Sequence, residues 1–175
     1  PIPVACEIVS AIQTMVTRKI SVFDPAVITI AKIAAGTTNN IIPETASMLG
    51  TIRTLSPQRR KQVADELHRL APGIAAAHEC TAEVHIEPGF PVTVCDARAV
   101  RFGQQVVEDM FGAESWISLD TPIMGAEEFS YVLNEILGTM MFLGGAPPGS
   151  NPATAPGNHS NLVMFDEAAM INGVA

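Results

Sequence analysis

The spacing of apolar residues in the first half of the chain predicts two helices and three strands. Apolar residues recur at helical intervals over residues 4–18 and 57–71. Residues 27–33 are rich in β-branched side chains and predict a strand, and residues 46–54 form a second extended stretch. Residues 81–87 alternate strictly between apolar and polar side chains, which predicts a third strand.

The second helix has start and stop signals of its own. Ser56 is a good capping residue and Pro57 suits a first helical turn, whereas Pro72-Gly73 is expected to end the helix. The order of elements predicts a small α+β sandwich with both helices on one face of the sheet. It resembles a ferredoxin-like βαββαβ unit without its first strand. We expect a symmetry mate, a swapped strand or a segment outside the sequence to fill that central place.

The second half of the chain predicts three helices and one buried strand. Pro88-Gly89-Phe90-Pro91 is the best candidate for a domain boundary. One helix with an inward apolar stripe is expected after Asp96, a second from Gly125 and a third after Asp166. Residues 139–143 predict the buried strand.

Composition and charge narrow the range of partners. The 175 residues are 47% hydrophobic and 16% charged, which excludes a disordered chain. The net charge of −8 and the lack of a basic run argue against nucleic acid and anionic membrane surfaces, and no apolar run is long enough to span a bilayer. Cys6, Cys80 and Cys95 follow no paired pattern, so we expect a reducing cytoplasm. The chain opens at Pro1, which we expect to be a cut end.

Among the histidines, His159 has the position most typical of a functional residue. It follows residues 144–158, a stretch rich in Gly and Pro without periodicity, and it precedes an apolar segment. Long loops of this kind often present side chains to a cleft, so His159 is a candidate ligand or catalytic group. For His68, His78 and His85 a surface position is the simpler interpretation.

Four other polar residues are candidates from their local sequence. Glu127 and Glu128 are expected in the first turn of a helix, where they either satisfy the helix dipole or belong to a metal site. Asn40 precedes a short extended run, which also suits a structural turn. Arg53 lies in a predicted strand, where it is either simply exposed or placed to bind a carboxylate through two hydrogen bonds. The local sequence leaves these alternatives open.

The order of four motifs resembles the dinuclear-metal amidohydrolases of the aminoacylase and carboxypeptidase G type. The nearest branch contains hippurate hydrolases, N-acyl-amino-acid amidohydrolases and indole-acetyl-amino-acid hydrolases. Each motif alone is weak, but their order and spacing extend over nearly the whole chain. The motifs are Asn40-Ile41-Ile42-Pro43, Gly50-Thr51-Ile52-Arg53-Thr54, Met124-Gly125-Ala126-Glu127-Glu128-Phe129, and His159-Ser160 with Phe165-Asp166-Glu167.

The resemblance implies a two-domain architecture and a homodimer. Residues 1–88 would be an incomplete ferredoxin-like lid domain that also forms the dimer. Residues 89–175 would be the C-terminal part of an α/β catalytic domain of the metallo-exopeptidase type. The intact enzyme would hydrolyse N-acyl amino acids with two divalent metals (zinc, manganese, cobalt or nickel), a metal-polarised acyl carbonyl and a glutamate that takes a proton from the attacking water.

The resemblance also implies roles for individual residues. His159 matches the family's C-terminal metal-ligand histidine. Asn40 and Arg53 match lid residues that hold the substrate, commonly at a neighbouring subunit's site, where they would orient its carboxylate and the developing oxyanion. Glu127 matches an acidic residue of the pocket, and Glu128 stands where the branch usually has Asp.

The family's other metal ligands, its glutamate general base and its lid histidine have no counterpart in this sequence. We therefore expect these residues to be the C-terminal part of an amidohydrolase and to be inactive alone. The alternative is a non-catalytic module with a ferredoxin-like core that binds a small ligand or forms a dimer. A ligand-induced rise in thermal stability without any metal would favour that alternative.

Overall fold

The computed structural model describes residues 1–151 and 154–174. The chain divides into two compact units, Pro1–Gly138 and Thr139–Ala175. The boundary predicted near residue 88 does not coincide with this division, and it stays a prediction about the domains of the intact protein.

An antiparallel hairpin is the only sheet among the residues that the structure describes. Strand β1 spans Ala26–Ala35 and strand β2 spans Ala46–Thr54, which confirms both predicted strands. The pairing register shifts by one residue between Ile30 and Lys32, so β1 contains a bulge. Before the bulge, alternate residues of β1 are buried.

Two helices cover the buried face of the hairpin. Helix α1 spans Ile2–Lys19 and helix α2 spans Pro57–Ala77. The start of α2 is as predicted, because the Ser56 hydroxyl accepts a hydrogen bond from the backbone N–H of Arg59 at 3.0 Å. The buried core is formed by Ile8, Ile12, Met15, Ile20, Ala26, Ile28, Val63, Leu67 and Ala71.

The two helices run antiparallel. At one end Lys19 Nζ lies 2.8 Å from a carboxylate oxygen of Glu66. At the other end His78 Nε2 lies 2.7 Å from a carboxylate oxygen of Glu7. The first turns of α1 therefore lie beside the last turn of α2.

Helix α2 continues beyond the predicted stop at Pro72-Gly73, so that prediction was wrong. A proline inside a helix lacks one donor and crowds the preceding turn, at a cost of about 3 kcal/mol. Ala71 and Ala75, on either side of Pro72, are both buried. We infer that burial of this face outweighs the local cost of the proline.

Residues 81–87 do not form the predicted third strand. Ala82, Val84 and Ile86 are half-buried and pack against the core, so the predicted alternation is present. A strand is also defined by hydrogen bonds to a neighbour, however, and β1 and β2 pair only with each other among the described residues. The segment is therefore extended but unpaired.

Helix α3 spans Ala97–Phe111 and begins after Asp96 as predicted. The carboxylate of Asp96 accepts hydrogen bonds from the backbone N–H groups of Arg98 and Ala99. Both bonds lower the pKa of Asp96, and the bond from Ala99 has the larger effect. The prediction of an inward-facing apolar stripe on α3 was wrong, because Gly103 is the only described residue of this helix that is buried.

Helix α4 spans Phe129–Glu135 and does not begin at Gly125 as expected. Glycine is a poor helix former, and residues 122–127 have no regular structure. Glu127 precedes the helix, and Glu128 is its N-cap without a side-chain capping bond. The prediction that both glutamates lie in a first helical turn was therefore wrong.

The second unit contains a short 3₁₀ turn, Glu167–Ala169, followed by helix α5, Met170–Val174. This confirms the predicted helix after Asp166. The predicted buried strand 139–143 was wrong: the segment has no regular structure, and Phe142 is 63% exposed. Within the predicted loop 144–158, residues 152 and 153 lie outside the described residues. No helix in the described part of the chain has the length and apolar character that a membrane crossing requires.

Candidate functional site

Arg53 connects β2 to the segment that precedes α4. Its side chain is exposed, and Nη1 donates a hydrogen bond to the carbonyl oxygen of Met124 at 2.5 Å. Arg53 thus lies beside the Met124–Glu128 motif, although 71 residues separate the two partners along the chain. A guanidinium has five N–H donors, so one bond to a carbonyl leaves donors that can bind a carboxylate.

Ser130 anchors the Met124–Glu128 segment through hydrogen bonds to Glu127. Its hydroxyl donates to the carbonyl oxygen of Glu127 at 2.5 Å, and its backbone N–H donates to the same oxygen at 3.2 Å. Ser130 is fully buried, so this is a fixed anchor in the first turn of α4. The Glu127 side chain is half-buried next to it. Sequence analysis missed Ser130; a serine three residues after Glu127 at a helix start was the available signal.

Asn40 lies at the opposite end of the hairpin from Arg53. It belongs to the loop between β1 and β2, where the Thr38 hydroxyl donates to its side-chain oxygen at 3.3 Å. The loop borders an open cavity of about 580 Å³ lined by residues 34–37 and 41–45. Arg53 lies seven positions after the start of the strand at Ala46, or roughly 23 Å along it at the usual rise per residue. The structure therefore does not bring Asn40 and Arg53 together.

His159 belongs to the second unit and is exposed. It lies in a turn that is closed by a hydrogen bond from the backbone N–H of Ser160 to the carbonyl oxygen of Gly157, at 2.9 Å. The sequence predicts a loop side chain presented to a cleft, and the structure shows the loop position and the exposed side chain. Its role as a metal ligand stays a prediction.

The described residues do not by themselves fit a metal site. No group of three or more His, Cys, Asp or Glu side chains within residues 1–151 and 154–174 is arranged to hold a metal ion. A two-metal hydrolytic centre needs several such ligands, and His159 can provide only one.

The other histidines have the surface positions that were predicted. His68 is exposed, with Nδ1 lying 2.8 Å from the carbonyl oxygen of Ala64 one turn earlier in α2. His78 pairs with Glu7 across the helix ends. His85 is exposed beside Glu83.

Comparison with known proteins identifies the family. A family model described as Peptidase family M20/M25/M40 matches residues 7–175. The chain belongs to this family. The M20 chain is 34% identical over 171 residues to an N-acetyldiaminopimelate deacetylase of Geobacillus sp. (strain WCH70), and 30% identical over 179 residues to the IAA-amino acid hydrolase ILR1-like 4 of Arabidopsis thaliana.

One solved structure shows the same relationship, and a second shows the same fold. A Bacillus subtilis protein, YXEP, described as a dinuclear metal binding peptidase from the M20 family, matches 98% of this M20 chain with a TM-score of 0.76 and 26% identity. A putative aminohydrolase from methicillin-resistant Staphylococcus aureus matches in fold, with a TM-score of 0.80 and 19% identity over 98% of the chain.

The M20 chain spans less than half of each relative. It covers 43% of the Geobacillus deacetylase, 40% of the Arabidopsis hydrolase and 42% of the Bacillus subtilis structure. The match confirms the predicted relationship to dinuclear-metal amidohydrolases at the level of the family.

Proposed function

We propose that the intact protein hydrolyses the amide bond of N-acyl amino acids of the hippurate type, and that residues 1–175 supply part of its substrate site. The observation that carries this proposal is the hydrogen bond from Arg53 to the carbonyl oxygen of Met124. It puts a permanent cation beside the segment that carries Glu127, where the cation can pair with the free carboxylate of an N-acyl amino acid. The names of the two relatives, a deacetylase and an amino acid hydrolase, support amide hydrolysis.

The proposal includes two divalent metals in the intact enzyme, of which His159 binds one. The printed description of the Bacillus subtilis structure supports a dinuclear centre. Since the described residues contain no complete ligand group, the remaining ligands and the general base belong to polypeptide outside residues 1–175. The chain alone is then inactive, as the sequence predicts.

We extend the proposal to a homodimer formed by residues 1–88, the ferredoxin-like lid. Ala46, at the start of β2, lies roughly 23 Å along the strand from Arg53, which is farther than a hippurate-sized molecule can span, and Asn40 belongs to the loop beyond that end of the strand. If both residues hold the substrate, they must serve two different active sites. Arg53 contacts its own subunit's Met124, so it serves its own site and Asn40 reaches that of the partner.

A subunit-mixing experiment with the intact enzyme tests this arrangement. Asn40→Ala and Arg53→Ala should each reduce hippurate hydrolysis severely, because each removes one substrate contact. In a mixed dimer one site lacks both residues and the other site lacks neither. Random mixing should therefore restore about 25% of wild-type activity, since half of the dimers are mixed and each has one intact site. Ser10→Ala mixed with Ser47→Ala, both exposed, is the matched control and should stay fully active.

Two outcomes would contradict the proposal at different levels. If mixing restores no activity, both residues serve the same site and the proposed arrangement is wrong. If the intact wild-type protein hydrolyses no N-acyl amino acid in the presence of zinc, manganese, cobalt or nickel, the proposed reaction is wrong.

A further inference from the structure

The orientation of Arg53 depends on the carbonyl oxygen that it contacts. The bond from Nη1 to Met124 is the one hydrogen bond that its guanidinium makes in the described part of the chain, and the side chain is exposed. A carbonyl can orient a flexible arginine only if the carbonyl is itself held in place. Met124 lies in residues 122–127, which have no regular structure, so a neighbouring element must hold this segment.

The segment is joined at its far end to α4. Ser130, in the first turn of α4, is hydrogen-bonded through its hydroxyl and its backbone N–H to the carbonyl oxygen of Glu127. Within residues 1–151 and 154–174, however, no residue of α4 comes within 8 Å of another helix or strand, measured between Cα atoms. The position of α4 therefore depends on segments that lie between the helices and strands.

The backbone of residues 89–90 joins α4 to the start of α2. The ring of Phe90 meets the ring of Tyr131 in α4 edge to face, with the ring centroids 6.0 Å apart and an angle of 78° between the planes. Arg60, near the start of α2, donates hydrogen bonds from Nη2 to the carbonyl oxygens of Gly89 and Phe90, both at 3.1 Å. Hydrogen bonds from a charged donor are stronger than those between neutral groups. Arg60 thus fixes the backbone of the residue that contacts α4.

Arg53 and Arg60 lie on either side of the same corner of the chain, since only two residues separate β2 from α2. The segment before α4 and α4 itself are consequently attached to this corner twice. Met124 is attached through Arg53, and Tyr131 is attached through Phe90 and Arg60. One attachment leaves a segment free to turn about that point, whereas two attachments fix its orientation.

We propose that Arg60 is a positioning residue for the substrate site: through Phe90 and Tyr131 it holds the Met124 carbonyl in place, and so orients the Arg53 guanidinium towards the carboxylate of an N-acyl amino acid. This inference rests on the proposed function for the identity of the substrate, but not for the attachment of α4. Arg60 acts through Arg53 and does not itself contact the substrate. A contact made equally in the bound substrate and in the transition state affects KM rather than kcat.

Kinetics of the intact enzyme separate this role from a general loss of structure. Arg60→Met should raise the KM for hippurate at least about fivefold and change kcat less than about twofold, because it weakens only the carboxylate contact. Hippuramide, which has an uncharged amide in place of the carboxylate, serves as a competitive inhibitor. Its inhibition constant should change less than about twofold, because Arg53 finds no carboxylate on it.

Three further variants check that the effect passes through the described contacts. Arg60→Lys should keep the KM of the wild type, because both bonds come from one nitrogen and an ammonium group can donate both. Tyr131→Leu should raise KM as Arg60→Met does, and the double variant should be no worse than the more affected single variant, because the two residues act in series. Arg101→Met, at an exposed position of α3, is the matched control and should leave KM unchanged.

Amide hydrogen exchange in the intact protein tests the attachment without any activity measurement. In Arg60→Met the amides of Ser130 and Tyr131, which are hydrogen-bonded to Glu127 and Glu128, should exchange at least about threefold faster than in the wild type. The amides of β1 should exchange at the same rate in both proteins.

The inference is overturned if exchange at α4 is unchanged in Arg60→Met. It is also overturned if the KM for hippurate and the inhibition constant of hippuramide rise together, since the loss would then not concern the carboxylate. A wild-type enzyme that hydrolyses no hippurate contradicts the proposed function, and the exchange rates then decide separately whether Arg60 holds α4.

Discussion

Glu66 of α2 joins that helix to α1 through an ion pair with Lys19. Its carboxylate accepts hydrogen bonds from Lys19 of α1 at 2.8 Å and from Arg69 of α2 at 2.5 Å. These hydrogen bonds hold the pKa of Glu66 below its ordinary value of 4.5, and the bond from Lys19 has the largest effect. The folded state therefore favours the ionised carboxylate more than the unfolded state does.

The contribution of Glu66 to stability should depend on pH. Because its folded pKa is lowered, the contribution is complete above the unfolded pKa near 4.5 and is lost as the pH falls through the folded pKa. Glu66→Gln should lower the urea midpoint at pH 7 and lower it less at pH 3. Asp65→Asn, which removes one exposed contact to Lys61, is the control and should have little effect at either pH. A deficit of Glu66→Gln that is equally large at pH 3 would contradict this account.

Two glycines show how β2 and α2 constrain the same substitution differently. A Cβ on Gly50 would lie 2.5 Å from the carbonyl oxygen of Thr29 and 3.0 Å from Ile30 Cδ1. A Cβ on Gly73 would meet no atom within 4 Å outside its own helix. The strand position is thus closed to any side chain, whereas the helix position is open.

Gly50→Ala and Gly73→Ala should therefore change stability in opposite directions. Gly50→Ala forces the strands apart and should lower the free energy of unfolding by about 1–3 kcal/mol. Gly73→Ala adds a better helix former without a clash and should raise it by up to about 1 kcal/mol. Urea unfolding followed by circular dichroism measures both. A neutral Gly50→Ala variant would show that the hairpin is not as closely paired as the structure indicates.

Among the helices and strands, the sequence predicted correctly those features that depend on interactions within a few residues. The second strand 46–54 and the helix starts after Ser56 and Asp96 agree with the structure, because strand preference and capping act within a few residues. Residues 81–87 and 139–143 have strand-like patterns, but neither segment pairs with a strand within residues 1–151 and 154–174. Pairing is a long-range property, and an isolated pattern cannot provide it.

The candidate site shows the same limit. The exposed loop position of His159 follows from the polar stretch before it, so it was predictable. The contact of Arg53 with Met124 joins residues 71 apart, and the anchoring of Glu127 by Ser130 depends on where α4 begins. No local sequence pattern predicts either of these two contacts.

The whole chain leaves large apolar side chains exposed in both units. Phe102 in the first unit is 71% exposed, and Phe142 and Phe165 in the second are 63% and 60% exposed. Exposed apolar surface usually marks an interface where it is contiguous and extends over several hundred Å². A chain that spans about two fifths of its relatives is expected to bury these side chains against further polypeptide.

Metal dependence should likewise be a property of the intact protein. Because the described residues hold no group of three ligating side chains, EDTA or added Zn²⁺ should shift the melting temperature of residues 1–175 by less than about 1 °C. In the intact enzyme EDTA should lower the melting temperature, since a metal that binds only the folded state stabilises it.

His159→Ala in the intact enzyme should reduce the number of metal ions bound per subunit, as measured by inductively coupled plasma mass spectrometry, whereas His85→Ala should not. A Zn²⁺-dependent rise in the melting temperature of residues 1–175 that His159→Ala removes would show instead that this part of the chain forms a metal site alone.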